Sequence, residues 1–97
     1  MTDITVKQMP AFKRVYKKIH SQDKTAVNDA IREIIKNPKI GQEKKGDLSG
    51  VFVHKFKILA TQYLLSYRMA DADTLELIMI GPHENYYRDL SNYLETR

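Results

Sequence analysis

Between Val51 and Ile80 apolar and polar residues alternate in three successive runs, and this period of two constrains the fold more than any other feature of the chain. Val51 to Ile58, Tyr63 to Met69 and Thr74 to Ile80 each read as a strand, rich in β-branched and aromatic residues. Lys57 to Gln62 and Ala70 to Asp73 are the predicted connecting turns. Connections that short join neighbouring antiparallel strands, because a parallel pair needs a long crossover.

Upstream of the meander the period is helical. Phe12, Val15, Tyr16 and Ile19 recur at helix spacing between Met9 and Ile19, with Pro10 tolerated in the first turn. Val27, Ala30, Ile31, Ile34 and Ile35 form the apolar stripe of a second helix, with Ser21 or Asp23 expected to cap it and Asn37-Pro38 to end it. So short a link predicts an antiparallel helical hairpin. Ile4-Thr5-Val6 is a short β-prone segment, and Ile40 to Gly50, with three glycines, reads as a loop. After Gly81-Pro82 a last helix is expected, its inner face either Tyr87, Leu90 and Leu94 or Tyr86, Leu90 and Tyr93. The order is strand, helix, helix, three strands, helix. This is an α+β chain, an N-terminal strand and helical hairpin packed on an antiparallel sheet, with a C-terminal helix.

At 97 residues the expectation is a single domain, 1–97, with one core. No apolar run approaches the roughly 20 residues that cross a bilayer, and no signal-peptide pattern opens the chain. There is no cysteine, hence no disulfide framework or thiolate metal site, and His20, His54 and His83 have no zinc spacing. No metal, cofactor or membrane is expected, and the cytoplasm is the expected compartment. The net charge of +4 matters less than its clusters at Lys13, Arg14, Lys17 and Lys18, at Lys44 and Lys45, and at Lys55 and Lys57. Such clusters attract an anionic partner, nucleic acid or acidic protein, or else they are solvated faces.

Four groups of residues have chemistry to offer. Lys55 and Lys57 share one face of their strand, two ammonium groups within roughly 7 Å of each other by strand geometry. A pair so placed can hold a phosphate or stabilise a pentavalent transition state, or it can simply keep a surface soluble. His54 alternates with Phe52 and Phe56 and is expected on the apolar side. His83 follows the Gly-Pro break at a strand's end, where loops present reactive groups, and histidine exchanges protons near neutral pH. Tyr86 and Tyr87 follow, one expected to pack beneath the helix and the other free to stack; Arg68 and Arg88 are available charges. His20, at the end of the first helix, suits the helix dipole and has no expected catalytic role. RNA cleavage without a metal unites these groups. The 2′-hydroxyl attacks the adjacent phosphorus, cations neutralise the phosphorane, and an acid protonates the leaving 5′-oxygen.

Three motifs in order carry a family resemblance. They are Leu48-Ser49-Gly50 leading into Val51-Phe52-Val53-His54-Lys55-Phe56-Lys57, then Tyr63-Leu64-Leu65-Ser66-Tyr67, then Gly81-Pro82-His83 with Tyr87 behind it. In this the chain resembles toxins of the RelE/ParE superfamily, the toxic half of bacterial type II toxin–antitoxin pairs, and most of all the RelE/YafQ-like mRNA interferase branch. The resemblance implies a RelE-like fold and a ribosome-dependent mRNA endoribonuclease that inhibits translation. It implies a cognate antitoxin as partner, with operator DNA bound only through the toxin–antitoxin complex. By position it implies His83 in proton transfer, Lys55 and Lys57 in base and phosphate roles, and Tyr87 stacked on an mRNA base. His54 is an accessory catalytic candidate, and Arg88, Tyr86 and Arg68 are RNA-binding candidates. Two positions depart from the pattern, since Leu64 and Met79 stand where such enzymes often carry arginine. A leucine or methionine cannot clamp a phosphate. Inhibition of DNA gyrase by binding, as in ParE-type members, is therefore the alternative, or a noncatalytic antitoxin-binding relative.

Overall fold

A computed structural model of the chain describes residues 4–44, 50–82 and 86–95. Five strands make one sheet in the order β1-β5-β4-β3-β2. They are β1 (Thr5–Gln8), β2 (Gln42–Glu43), β3 (Phe52–Ile58), β4 (Thr61–Asp71) and β5 (Thr74–Pro82). The helices are α1 (Pro10–Lys18), α2 (Ser21–Lys36) and α3 (Tyr86–Glu95). The meander β3-β4-β5 is antiparallel, and β1 adds to its outer edge parallel to β5.

The alternation that predicts the strands also sorts the two faces. Phe12, Val27 and Ile34 from the helical hairpin pack with Leu65, Tyr67, Leu75 and Leu77 from one face of the sheet. On the opposite face Val53, Leu64 and Ile78 pack under Tyr86 and Leu90 of α3. A bulge in the β4–β5 ladder sets Ser66 opposite Met79 and Tyr67 opposite Leu77. The extra residue lets two consecutive side chains, Ile78 and Met79, reach the α3 cluster.

Local details depart from the sequence reading in instructive ways. The loop expected from Ile40 to Gly50 contains β2, a two-residue strand too short to leave a period. Its anchor is remote: Tyr67 Oη donates to the Pro38 carbonyl at 2.7 Å and accepts the Gly41 N–H at 3.0 Å. A Cβ at Gly41 would stand 2.8 Å from that hydroxyl and 2.9 Å from the Val53 carbonyl oxygen, so only glycine lets the loop come this close. Neither Ser21 nor Asp23 caps α2. His20 is the N-cap, its Nδ1 accepting the Gln22 N–H at 3.3 Å. The strand expected to stop at Ile80 runs through Gly81 and Pro82, paired with Leu64 and Tyr63 of β4. Proline is tolerated there as the strand's last residue, at the end of the ladder.

Candidate functional site

The face of the sheet that carries α3 is covered only in part. Beyond the apolar patch under the helix, β3 continues with Lys55 and Lys57, both exposed and both on the face of Val53. Lys55 lies opposite Leu64 in the ladder, and Leu64 lies opposite Gly81. The two lysines therefore project beside the apolar floor on which the N-terminal turn of α3 rests. Gln42 pairs with Val53, and the Lys44 N–H bonds the Val51 carbonyl at 2.9 Å, so β2 extends this face beyond β3.

Of the two tyrosines, Tyr86 is the one packed inward. It is 2% exposed, and its hydroxyl accepts the Ser66 N–H at 2.9 Å and donates to the Met79 carbonyl at 2.6 Å. Ser66 Oγ is a further 2.8 Å neighbour. Burial pushes the phenol's pKa well above its usual range, so the hydroxyl stays protonated. A ring held this way has no face for a base, which corrects the inclusion of Tyr86 among RNA-binding residues. Tyr87 is half-buried and meets the Tyr86 ring edge-on. Lys44 Nζ stands 4.5 Å from the centre of the Tyr87 ring.

His54 is on the wrong side of the sheet to work with the lysines. It is buried with Phe52 and Phe56 beneath the helical hairpin, and its Nε2 points toward Glu33 of α2 at 3.3 Å. That carboxylate is out of line for a hydrogen bond, which leaves Nε2 buried without one. Its placement removes it from the catalytic group, in keeping with its alternation with two phenylalanines. Arg68 shares the lysines' face but is tied to Glu76 at 2.7 Å. Along β4 it lies roughly 13 Å from the residue facing Lys55, by strand rise. The structure does not bring it to the lysine pair. Arg88 is exposed on α3, its Nε 3.8 Å from Asp89. His83 lies outside the described residues, between the end of β5 and the start of α3.

Leu64 is one of the two positions where the sequence departs from the pattern it resembles. It is fully buried under α3, and the neighbouring position across the ladder is Gly81, whose Cβ would meet the Tyr86 ring at 3.6 Å. Apolar packing fills this part of the sheet face. Among the described residues no three His, Asp or Glu side chains come together as a metal-ligand set. No described helix is long and apolar enough to cross a membrane.

Lys44 is the residue the sequence reading left out of the site. In the sequence it is half of a basic doublet, and the Tyr87 ring it meets is distant in the chain. Nothing in the sequence marks it, since it lies just past β2, a strand too short to have a period of its own.

This arrangement has relatives. Residues 6–91 match the ParE-like toxin of type II bacterial toxin–antitoxin systems, and the chain belongs to that family. Its fold is shared with a free-state mutant of the E. coli toxin RelE, at a TM-score of 0.74 and 14% identity, over 99% of this chain and 100% of that one. The toxin–antitoxin complex RelBE2 of Mycobacterium tuberculosis aligns at 0.69 and 22% identity, over 84% of this chain and 100% of that one. The intact E. coli RelBE complex aligns at 0.66 and 18%, over 84% and 98%. No curated protein matches the chain in sequence. The chain is thus a RelE/ParE superfamily toxin with a RelE-like α+β fold.

Proposed function

We propose that this chain, acting as one toxin domain in the cytoplasm, is a metal-independent endoribonuclease that cuts mRNA on the ribosome and is neutralised by an antitoxin encoded beside it. The observation that carries this reading is the exposed pair Lys55 and Lys57 on the same sheet face as Tyr87. Two ammonium groups on one face can bind the scissile phosphate and stabilise the charge of the phosphorane. Tyr87 supplies an aromatic surface for a neighbouring base. In this reading His83 moves the proton, and Arg88 is an accessory phosphate contact. Solved relatives in complex with antitoxins support the partner, and operator DNA is then bound through the complex.

The test is to induce the chain alone and map new 5′ ends on translated and untranslated copies of one mRNA. Codon-phased cuts confined to the translated copy support the reading. His83→Ala should then abolish cutting while folding and antitoxin binding persist. Arrested growth without cuts overturns it.

A second reading, inhibition of DNA gyrase by binding, is favoured by one observation. Leu64 is buried and Met79 half-buried, so neither position offers a phosphate clamp. DNA damage on induction, with mRNA intact, would identify that activity.

A further inference from the structure

One hydrophobic side chain stands almost wholly in solvent. Leu59 is 88% exposed, against 37% and 42% for Val6 and Ile40, the other large apolar side chains exposed among the described residues. It occupies the two-residue turn between β3 and β4, where Ile58 pairs with Thr61 across the hairpin. Its φ is 55°, the left-handed value that tight hairpin turns demand at their first central position. Among the described residues no other non-glycine residue has a positive φ. A side chain there crowds its own backbone, so glycine, asparagine and aspartate are the usual occupants. Leucine has neither the freedom of glycine nor a polar group to bond locally, and it buries almost nothing. The fold bears a conformational cost at this position that no packing offsets. Residues held in that way cluster where proteins bind their ligands.

The surroundings select the ligand. Lys57 precedes Leu59 by two residues and Lys55 precedes Lys57 by two, both exposed, with roughly 7 Å to each step by strand rise. From Val51 to Ala70, which takes in the hairpin up to the last residue of β4, there is no acidic residue. Ala60, Thr61 and Gln62 beside the leucine are exposed too, and none is large and apolar. A protein interface is centred on several packed apolar or aromatic anchors, with lysine depleted there. A lone apolar side chain beyond a row of cations suits a single nucleic-acid strand. The cations follow its backbone, and the apolar group rests against the face of an unstacked base.

Leu59 also has a defined place relative to Tyr87. That ring packs with the cluster of Val51 and Val53 at one end of the lysine pair, and Leu59 stands at the other end. We infer that Leu59 is a wedge for one base of a single-stranded RNA whose backbone runs over Lys55 and Lys57. This rests on the proposed function and deepens it. Base contacts at Tyr87 and Leu59 bracket the phosphate contacts, so the wedge selects which base lies a fixed distance from the scissile phosphate. Leu59 is then a specificity-determining residue and takes no part in proton transfer.

The test measures, by fluorescence anisotropy, binding of a single-stranded RNA oligomer that is 2′-O-methylated so that it cannot be cut. Copies with an abasic site moved along the strand are bound in parallel. Wild type should lose about tenfold in affinity when the abasic site falls at the wedge. Leu59→Gly and Leu59→Asn should bind the intact oligomer about tenfold more weakly and be indifferent to that abasic site, whereas Leu59→Met should bind like wild type. The glycine and asparagine variants should melt roughly 4 °C higher, because the backbone strain is relieved, so unfolding cannot cause their weaker binding. Val6→Thr, which removes exposed apolar surface from the opposite edge of the sheet, is the control and should bind like wild type. Full affinity in Leu59→Gly overturns the inference, as does an abasic profile identical to that of wild type. A wild-type chain that does not bind the oligomer overturns it too. Weakened antitoxin binding with RNA binding intact also overturns it, assigning the leucine to a protein partner. Base-dependent binding without any mRNA cutting defeats the endoribonuclease reading and leaves the wedge standing. Cutting by Leu59→Gly at the wild-type rate and positions defeats the wedge and leaves that reading standing.

Discussion

Lys44 Nζ lies 4.5 Å from the centre of the Tyr87 ring, so a cation just past the end of β2 already covers an aromatic surface on α3. Contacts of this kind contribute roughly 0.5–1 kcal/mol when exposed and about 2 kcal/mol when desolvated, against about 1–3 kcal/mol for a base stacked on an aromatic ring. On the proposed function, a nucleotide would displace the ammonium and leave it beside its own phosphate. Tyr87→Ala should weaken cleavage of ribosome-bound mRNA about tenfold to a hundredfold, and Tyr87→Phe should keep it. Lys44→Gln should have a smaller effect in the same direction, with Lys44→Arg close to wild type. Single-turnover cleavage read beside thermal melting checks this. Wild-type cutting by Tyr87→Ala would remove the ring from the site.

Putting an arginine back at position 64 should not restore a phosphate clamp. Leu64 is fully exposed to neither solvent nor groove but sealed beneath Tyr86 and Leu90. Leu64→Arg would bury a guanidinium in the apolar cluster of Val53, Ile78, Tyr86 and Leu90, or force α3 off the sheet. A buried unpaired charge costs on the order of 3–5 kcal/mol. Urea unfolding should show a loss of that size and no gain in cleavage. An equally stable, more active variant would show that α3 yields easily at this point.

Much of this architecture is legible in the sequence because each element's period matches its environment. The strands of the meander send alternate side chains to opposite faces, and His54 lies with Phe52 and Phe56 as alternation requires. The α3 face is ambiguous in the sequence for a physical reason. Tyr86 and Tyr87 are equally apolar, and what separates them is a hydroxyl partner, Ser66 with the Met79 carbonyl, supplied by strands remote in sequence. The same holds for Lys44, whose role depends on a ring from another element. Local pattern carries periodicity, but it cannot carry pairings made by tertiary contact.

Those tyrosine pairings have a signature at alkaline pH. Burial raises the phenol pKa of Tyr86 and of Tyr67 above the usual value. Above pH of about 10 the unfolded chain ionises these phenols while the folded chain keeps them protonated. The unfolded state then binds fewer protons, so stability falls as pH rises through this range and is unaffected below it. Tyr86→Phe should lower stability at pH 7 by about 1–3 kcal/mol, because the Ser66 N–H and Met79 carbonyl lose their partner. It should also flatten the alkaline decline. Denaturant unfolding between pH 7 and 11 measures both, and an unchanged decline would mean that Tyr86 ionises freely in the fold.

His54 gives the sharpest separation of structure from chemistry. Its Nε2 is buried, 3.3 Å from Glu33 yet without an aligned hydrogen bond. Replacing such a group with an apolar one of similar size is close to neutral, because the unsatisfied atom goes with it. His54→Leu should keep stability within about 1 kcal/mol of wild type, whereas His54→Ala should lose about 2–3 kcal/mol by leaving a cavity under α2. Both should cut mRNA at the wild-type rate per folded molecule, since the sheet lies between this ring and Lys55. Unfolding and single-turnover cleavage on the same preparations decide the matter. A large fall in cleavage by a stable His54→Leu protein would return the histidine to the catalytic group and require the two faces of the sheet to be coupled.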